Sequence, residues 1–215
     1  MLTLWGRRSS FNVQKIMWLL REIDLPHRHI EAGGAHGGLD TPAFGAMNPH
    51  RKVPVVDDDG HVVWESHAIL RYIAARYGAP RFWDGDPRLR SLADRWIDWA
   101  ATGLQPDLLN GVFWGYYRTP APARDMAAVS AAIARTDARL AVLDGELAGR
   151  AFLGGDAPGL ADIPAGTALY RWFTLDIPRA PAPRVEAWYA RLQERPAYRA
   201  GVMIPYAELF GRLDF

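Results

Sequence analysis

Cysteine is absent from this 215-residue chain. Disulfides, thiolate metal centres and cysteine nucleophiles are thereby excluded, and any thiol chemistry must come from a bound ligand. A bias of charge is missing too. The 25 basic residues are interspersed with 24 acidic ones, which argues against nucleic acid or an anionic membrane as the main partner. No apolar stretch approaches the roughly 18 residues that a membrane helix requires. Met1 to Arg7 has no signal-peptide layout and reads as the start of a strand. The six histidines are scattered, none in a two-histidine-plus-carboxylate set at ligand spacing, so no metal is expected. Gly33 to Gly38 is glycine-rich but lacks the flanking strand and helix of a nucleotide loop, and reads as a mobile surface loop.

What remains is a globular composition, 49% hydrophobic and 23% charged, which fits a soluble cytoplasmic enzyme of one large or two modest domains. Leu2, Leu4 and Trp5 mark a short strand, and Asn12 to Ile23 a helix stopped by Leu25-Pro26. His27 to Ile30 reads as a second strand and Thr41 to Met47 as a short helix. Val53 to Val56 and Val62 to Trp64 flank Asp57-Asp58-Asp59-Gly60, whose Asp-Gly is a hairpin signal. Glu65 to Tyr77 closes a β-α-β-α-β-β-α order, an α/β domain over residues 1–78. Gly78-Ala79-Pro80 begins the boundary. From Pro87 the apolar spacing is helical: Leu89 to Ala100, Met126 to Leu147, and a later helix around Trp188 and Leu192 closed by Arg195-Pro196. Residues 87–215 are expected to form an all-helical domain.

The most informative motif is Asn48-Pro49-His50-Arg51-Lys52-Val53-Pro54, followed by Glu65-Ser66-His67-Ala68-Ile69-Leu70. A proline holds the residue before it extended, so Val53 can offer its backbone N–H and C=O to a peptide, the more so if the Val53–Pro54 bond is cis. Ser66 lies near the cap of an apolar-periodic helix, whose start attracts carboxylates, and Glu65 beside it can pair with an ammonium. An amino acid's α-carbon end needs both.

The constellation resembles the glutathione transferase family, and the likeness spans the whole chain. Arg51-Lys52-Val53-Pro54 and Trp64-Glu65-Ser66 read most like the theta and bacterial theta-like members. The resemblance implies a thioredoxin-like N-terminal domain that binds glutathione as co-substrate and an all-α C-terminal domain that takes a small hydrophobic electrophile. It also implies a role in detoxification and a two-fold homodimer. Matched motif to motif, Val53 and Pro54 meet the ligand's cysteine, Glu65 and Ser66 its γ-glutamyl group, and Lys52, with Arg51 beside it, its glycine carboxylate. His36 is a further candidate for the glycine end. Branches that use a protein cysteine, the omega and beta types, are excluded by its absence. Zeta-type isomerisation fits poorly because Phe11 follows the serine pair.

The chemistry is expected where the first strand gives way to the first helix, at Arg7-Arg8-Ser9-Ser10-Phe11-Asn12-Val13. Alignment with the theta-like pattern puts Ser10 at the catalytic hydroxyl. Asn12 matches an asparagine that some bacterial relatives carry at the thiol, whereas theta members have proline there. Ser9 and Ser10 could exchange the roles of cap and activator. No tyrosine lies between Trp5 and Arg21, so the tyrosine-type classes match poorly. Asn12 keeps glutathione-dependent disulfide or peroxide reduction open as an alternative, and non-catalytic glutathione binding is a second. Phe113, Trp114 and Tyr117, in Phe113 to Arg118, are the candidates for the electrophile's site. Trp172 and Phe173 are further ones. The resemblance also implies that Asp162 begins a central helix as a capping residue and does not catalyse: Gly159-Leu160-Ala161-Asp162 keeps the acid of the family's motif of Ser or Thr, two residues, then Asp, and loses its hydroxyl.

Overall fold

The computed structural model describes residues 1–213, so residues 214 and 215 of the expected helical domain lie outside the described residues. The described chain falls into two compact units, Met1–Asp84 with Ala197–Pro205, and Gly85–Pro196 with Tyr206–Leu213.

The first unit follows the order β1 (Leu2–Trp5), α1 (Phe11–Glu22), β2 (His27–Ile30), α2 (Pro42–Met47), β3 (Val55–Asp58), β4 (His61–Trp64), α3 (Ser66–Tyr77). Its sheet runs β2-β1-β3-β4, with β1 parallel to β2 and antiparallel to β3, and β3 antiparallel to β4. The α/β order expected from the sequence is therefore present. Asp59 and Gly60 form the two-residue hairpin loop, both at positive φ as a type I′ turn requires. Several boundaries differ: α1, α2 and β4 are each offset by one residue from the expected spans, and two other differences bear on the site. β3 starts at Val55 because Val53 and Pro54 are still turning into the sheet, and the cap of α3 is Glu65, with Ser66 its first residue.

Burial wraps α1 almost all round, through Val13, Ile16, Met17, Trp18, Leu19 and Leu20, and α3 lays Ile69, Leu70 and Ile73 against it. α1 ends where Asp24 turns left-handed at φ 49° and the Leu25 N–H reaches back to the Leu20 carbonyl at 2.9 Å. A short helix that the sequence reading missed, α8 (Pro196–Gly201), returns to this unit. Its Tyr198 ring meets Trp18 edge-on at 4.9 Å, and a Cβ on Gly201 would sit 2.8 Å from the Trp18 backbone.

The second unit is helical, with α4 (Pro87–Trp99), α5 (Met126–Glu146), α6 (Asp162–Thr174) and α7 (Pro183–Glu194). An isolated bridge joins Phe152 to Gly155. Asp86 and Asp125 cap α4 and α5, accepting from the Arg88 and Ala128 N–H groups at 2.8 and 2.9 Å. Beyond α4 the helix winds wider over Ala100–Leu104 and Pro106–Arg118, ending with the Thr119 N–H bonded five residues back to the Trp114 carbonyl at 2.9 Å. α5 packs along this π-type segment, where a Cβ on Gly111 would lie 2.6 Å from that of Ala132. Arg135 and Arg139 of α5 donate to Asp107 at 2.7 and 2.6 Å.

Asp162 begins α6 as expected. Its carboxylate accepts from the N–H groups of Leu153, Gly154 and Gly159 and from the Trp188 indole, at 2.8 to 3.1 Å. Burial outweighs the pull of the four donors and leaves this carboxyl raised, at about 6. Pro164 fits because it lies in the first turn, where an N–H has no helical partner to lose.

Candidate functional site

Strand β1 hands over to α1 through Gly6, at φ 147°, whose N–H donates to the Ile30 carbonyl at 2.9 Å. A Cβ at Gly6 would overlap the Val13 side chain and come within 3.1 Å of Val53 Cβ. The missing side chain thus lets the start of α1 and the Val53 turn approach each other. Ser10 is the cap residue of α1, extended at φ −70° and ψ 124°, yet its hydroxyl makes no capping hydrogen bond. Ser9 and Ser10 are both buried, and the first turn of α1 holds no acidic residue to oppose its partial positive charge. Arg8 is held to Glu31, whose carboxylate also lies 3.7 Å from His36 Nε2, so His36 sits beside this ion pair.

The Val53 turn is built by a residue that the sequence reading passed over. Asn48, buried, donates its amide to the Lys52 carbonyl at 2.8 Å and accepts from the His50 N–H at 3.0 Å. Arg51 adopts φ 51° and directs its guanidinium to the Leu39 and Thr41 carbonyls at 2.9 and 3.3 Å, which ties the turn to the start of α2. Lys52 is exposed. The Val53–Pro54 bond is cis, and the ladder begins only at Val55, leaving the Val53 N–H and C=O outside it.

At the third corner, Glu65 caps α3 with φ 70° and ψ 116°, a backbone region that side-chain-bearing residues rarely occupy, and its exposed carboxylate makes no capping bond. The Ser66 hydroxyl donates to Asn12 Oδ1 at 3.4 Å, joining the first turns of α3 and α1. The same oxygen accepts from Lys15 Nζ at 3.0 Å, and Lys15 also meets His67 Nε2 at 2.9 Å. Burial above all, then the charges of Lys15 and Arg71, hold His67 down to about 2, so it stays neutral. Lys15 and His67 were missing from the candidates. The signal was available: Lys15 falls four residues from Phe11 and from Leu19, on a ridge that is otherwise apolar.

The comparisons with known proteins agree with one another. Residues 1–75 match the model of the glutathione S-transferase N-terminal domain, and residues 107–196 that of the C-terminal domain. The chain belongs to the glutathione S-transferase family. It is 42% identical over 207 residues to glutathione S-transferase GstB of Escherichia coli, covering 95% of this chain and 99% of that one. It is 30% identical to the disulfide-bond oxidoreductase YfcG of the same species, over 86% of this chain and 87% of that one. Among solved structures, the theta-class glutathione S-transferase of Xanthomonas axonopodis pv. citri, with glutathione bound, matches with a TM-score of 0.89 and 43% identity. The match covers 95% of this chain and 98% of that chain. The first unit is thus the family's thioredoxin-like domain.

In this family member's helical unit, Phe113 is fully buried, stacked on Tyr117 at 5.2 Å, and both rings meet Tyr206 edge-on. Tyr117, half-buried, also touches Phe210 at 5.2 Å. Burial first, then Tyr206, raises the Tyr117 phenol above its ordinary value, so it remains a neutral donor. Trp114 leaves this cluster and lies under the Arg118 guanidinium at 3.7 Å. Trp172 is buried, and Phe173 stacks on Tyr189 at 4.8 Å. Among the described residues no group of three His, Cys, Asp or Glu could hold a metal, and no helix is long and apolar enough to cross a membrane.

Proposed function

We propose that this protein binds glutathione in its first unit and activates the thiol for addition to a hydrophobic electrophile. The observation that carries the reading is the uncommitted Ser10 hydroxyl, placed at a helix start that Gly6 allows to approach the Val53 turn. Val53 pairs with the cysteinyl backbone, Glu65 with the γ-glutamyl ammonium, Ser66 and the N–H groups around it with that group's carboxylate, and Lys52 with the glycine carboxylate. Arg51 acts by holding the turn, and His36 closes the glycine side. A free thiol with a pKa near 8.5 is only a few per cent thiolate at pH 7. Each unit by which Ser10, Asn12 and the α1 start lower it takes about 1.4 kcal/mol. The proton goes to water. The sulfur lone pair then forms the S–C bond, and the leaving group departs with its electron pair, or an added double bond picks up a proton.

Residues 1–78 are the glutathione domain on this reading, and the helical region within 87–215 supplies apolar surface for the electrophile, with Tyr117 stacked on Phe113 and Trp114 apart from them under Arg118. A cytoplasmic homodimer with a detoxifying role completes the proposal, and sedimentation equilibrium checks the dimer. The deciding experiment is Ser10→Ala: glutathione affinity is retained, while the pH–rate profile of conjugation moves up by one to two units, roughly a ten- to hundredfold loss at neutral pH. An unchanged profile transfers the role to Ser9 or Asn12. A rate loss without a shift makes the hydroxyl a positioner of the sulfur.

Asn12, hydrogen-bonded beside the site, and the likeness to a disulfide-bond oxidoreductase favour a second reading. In it the bound thiolate attacks a disulfide, expels one thiolate and leaves a mixed disulfide, which a second glutathione resolves to oxidised glutathione. Turnover coupled to glutathione reductase separates this from conjugation. Tight binding without any thiol ionisation would mark a non-catalytic binding protein.

A further inference from the structure

Lysine rarely hides, because its ammonium is costly to remove from water and its long stem normally carries the charge to the surface. Lys15 is nevertheless 1% exposed. Its Nζ lies 3.0 Å from Asn12 Oδ1, 2.9 Å from His67 Nε2 and 4.6 Å from the centre of the Phe11 ring. An ammonium has only donors to offer, so the atom that Asn12 turns towards it must be the amide oxygen. Ser66 donates to the same oxygen from α3. With that oxygen accepting twice, Nδ2 and its two hydrogens point the other way, and no protein acceptor takes them among the described residues.

We infer that Lys15 is a positioning residue which locks the Asn12 amide with its oxygen inward and its NH2 facing the glutathione sulfur. His67 serves as the backstop. As a neutral acceptor it holds the ammonium from the α3 side, and burial together with Lys15 and Arg71 keeps it unprotonated. Rotating the amide would face two donors, the Lys15 ammonium and the Ser66 hydroxyl, with a third. The donor aimed at the sulfur is therefore fixed before the ligand arrives, the condition under which a hydrogen bond to a developing anion contributes most.

This inference rests on the glutathione reading, and a double-mutant cycle keeps the two separable. Calorimetry on the wild type with reduced glutathione comes first: no binding sinks the functional reading itself. With binding in hand, the thiolate absorbance of the saturated complex is titrated against pH for wild type, Lys15→Met, Asn12→Ala and the double variant. Lys15→Met is expected to raise the thiol pKa by roughly half to one unit, three- to tenfold less thiolate at neutral pH, and to add nothing in the Asn12→Ala background. A full Lys15→Met shift persisting without Asn12 overturns the inference, because the cation then acts through its own field. No shift in the single variant overturns it as well. If Lys15→Met does not fold, the wild type still decides. The Asn12 side-chain amide signals in a nitrogen-15 spectrum, assigned by their loss in Asn12→Ala, should move more with glutathione than with S-methylglutathione. Identical responses to the two ligands refute the placement.

Discussion

Glu65 combines a backbone at φ 70° with a carboxylate that does nothing for its own helix. Such a conformation costs on the order of 1–3 kcal/mol in a residue with a Cβ and persists where the surroundings impose it. The side chain is therefore retained for something other than stability. Glu65→Gln is expected to keep the fold and weaken glutathione binding by about ten- to a hundredfold, the worth of a hydrogen bond to a charged group. Glu65→Gly should weaken binding equally and raise the urea midpoint, because glycine occupies this region at no steric cost. Calorimetry and denaturant unfolding of the two variants read both effects. A Glu65→Gln variant that binds normally would leave the ammonium without its counter-ion.

At the scale of elements, Asp162 ties the start of α6 to the loop at Leu153 and Gly154 and to Trp188 of α7. Asp162→Ala leaves four buried donors without an acceptor and should cost about 3–5 kcal/mol, seen as a lower urea midpoint. Asp162→Asn should recover only part of it, since one side of an amide repels N–H donors. Asp162 was legible through the family resemblance, because Gly159-Leu160-Ala161-Asp162 keeps the acid of that motif although it lacks the hydroxyl. The Asp59-Gly60 hairpin and the long amphipathic α5 were legible too. The wider winding after Ala100 was not, because apolar spacing alone barely distinguishes it from an α-helix over so few turns. α8 was hidden for a different reason: Pro196 reads as a stop for α7 and is also a good first residue for the next helix. Gly201→Ala tests that helix, since its Cβ would press on the Trp18 backbone; a fall in thermal midpoint with a red-shifted tryptophan emission is expected.

Across the whole molecule, stability should fall on the acid side in two stages. His67 is held at about 2 and His29 below 6.5, in both cases chiefly by burial, so the unfolded chain takes up protons below pH 6.5 that the folded chain refuses. Their contribution is complete above 6.5 and declines as pH falls, by up to about 1.4 kcal/mol per unit for each, offset in part between about pH 6 and 4 by Asp162, whose raised carboxyl takes up its proton first in the folded chain. Asp58, Asp107 and Asp144 follow below about pH 4. Burial alone would raise them, but Tyr77 and Tyr72, Arg135 and Arg139, and the N–H groups of Val185 and Arg184 respectively hold them low. Urea midpoints measured from pH 8 to 3 should show both stages, and His67→Gln should flatten the first. The turn at Val53-Pro54 and the helix start at Glu65-Ser66 were readable as backbone features, because a proline and a capping position have signatures. Lys15 carried a signal in its place on an otherwise apolar ridge, whereas His67, Asn48 and Gly6 act through contacts made only after folding.

The return of residues 197–205 to α1 also bears on how such chains recombine. A single crossover between relatives near residue 84 would give a chimera whose α1 comes from one parent and whose covering Tyr198 and Gly201 come from the other. Compatible breakpoints must come together, near 84, 196 and 205, because Tyr206–Leu213 goes back to the second unit, so inheritance follows the packed unit and not the linear order of the gene.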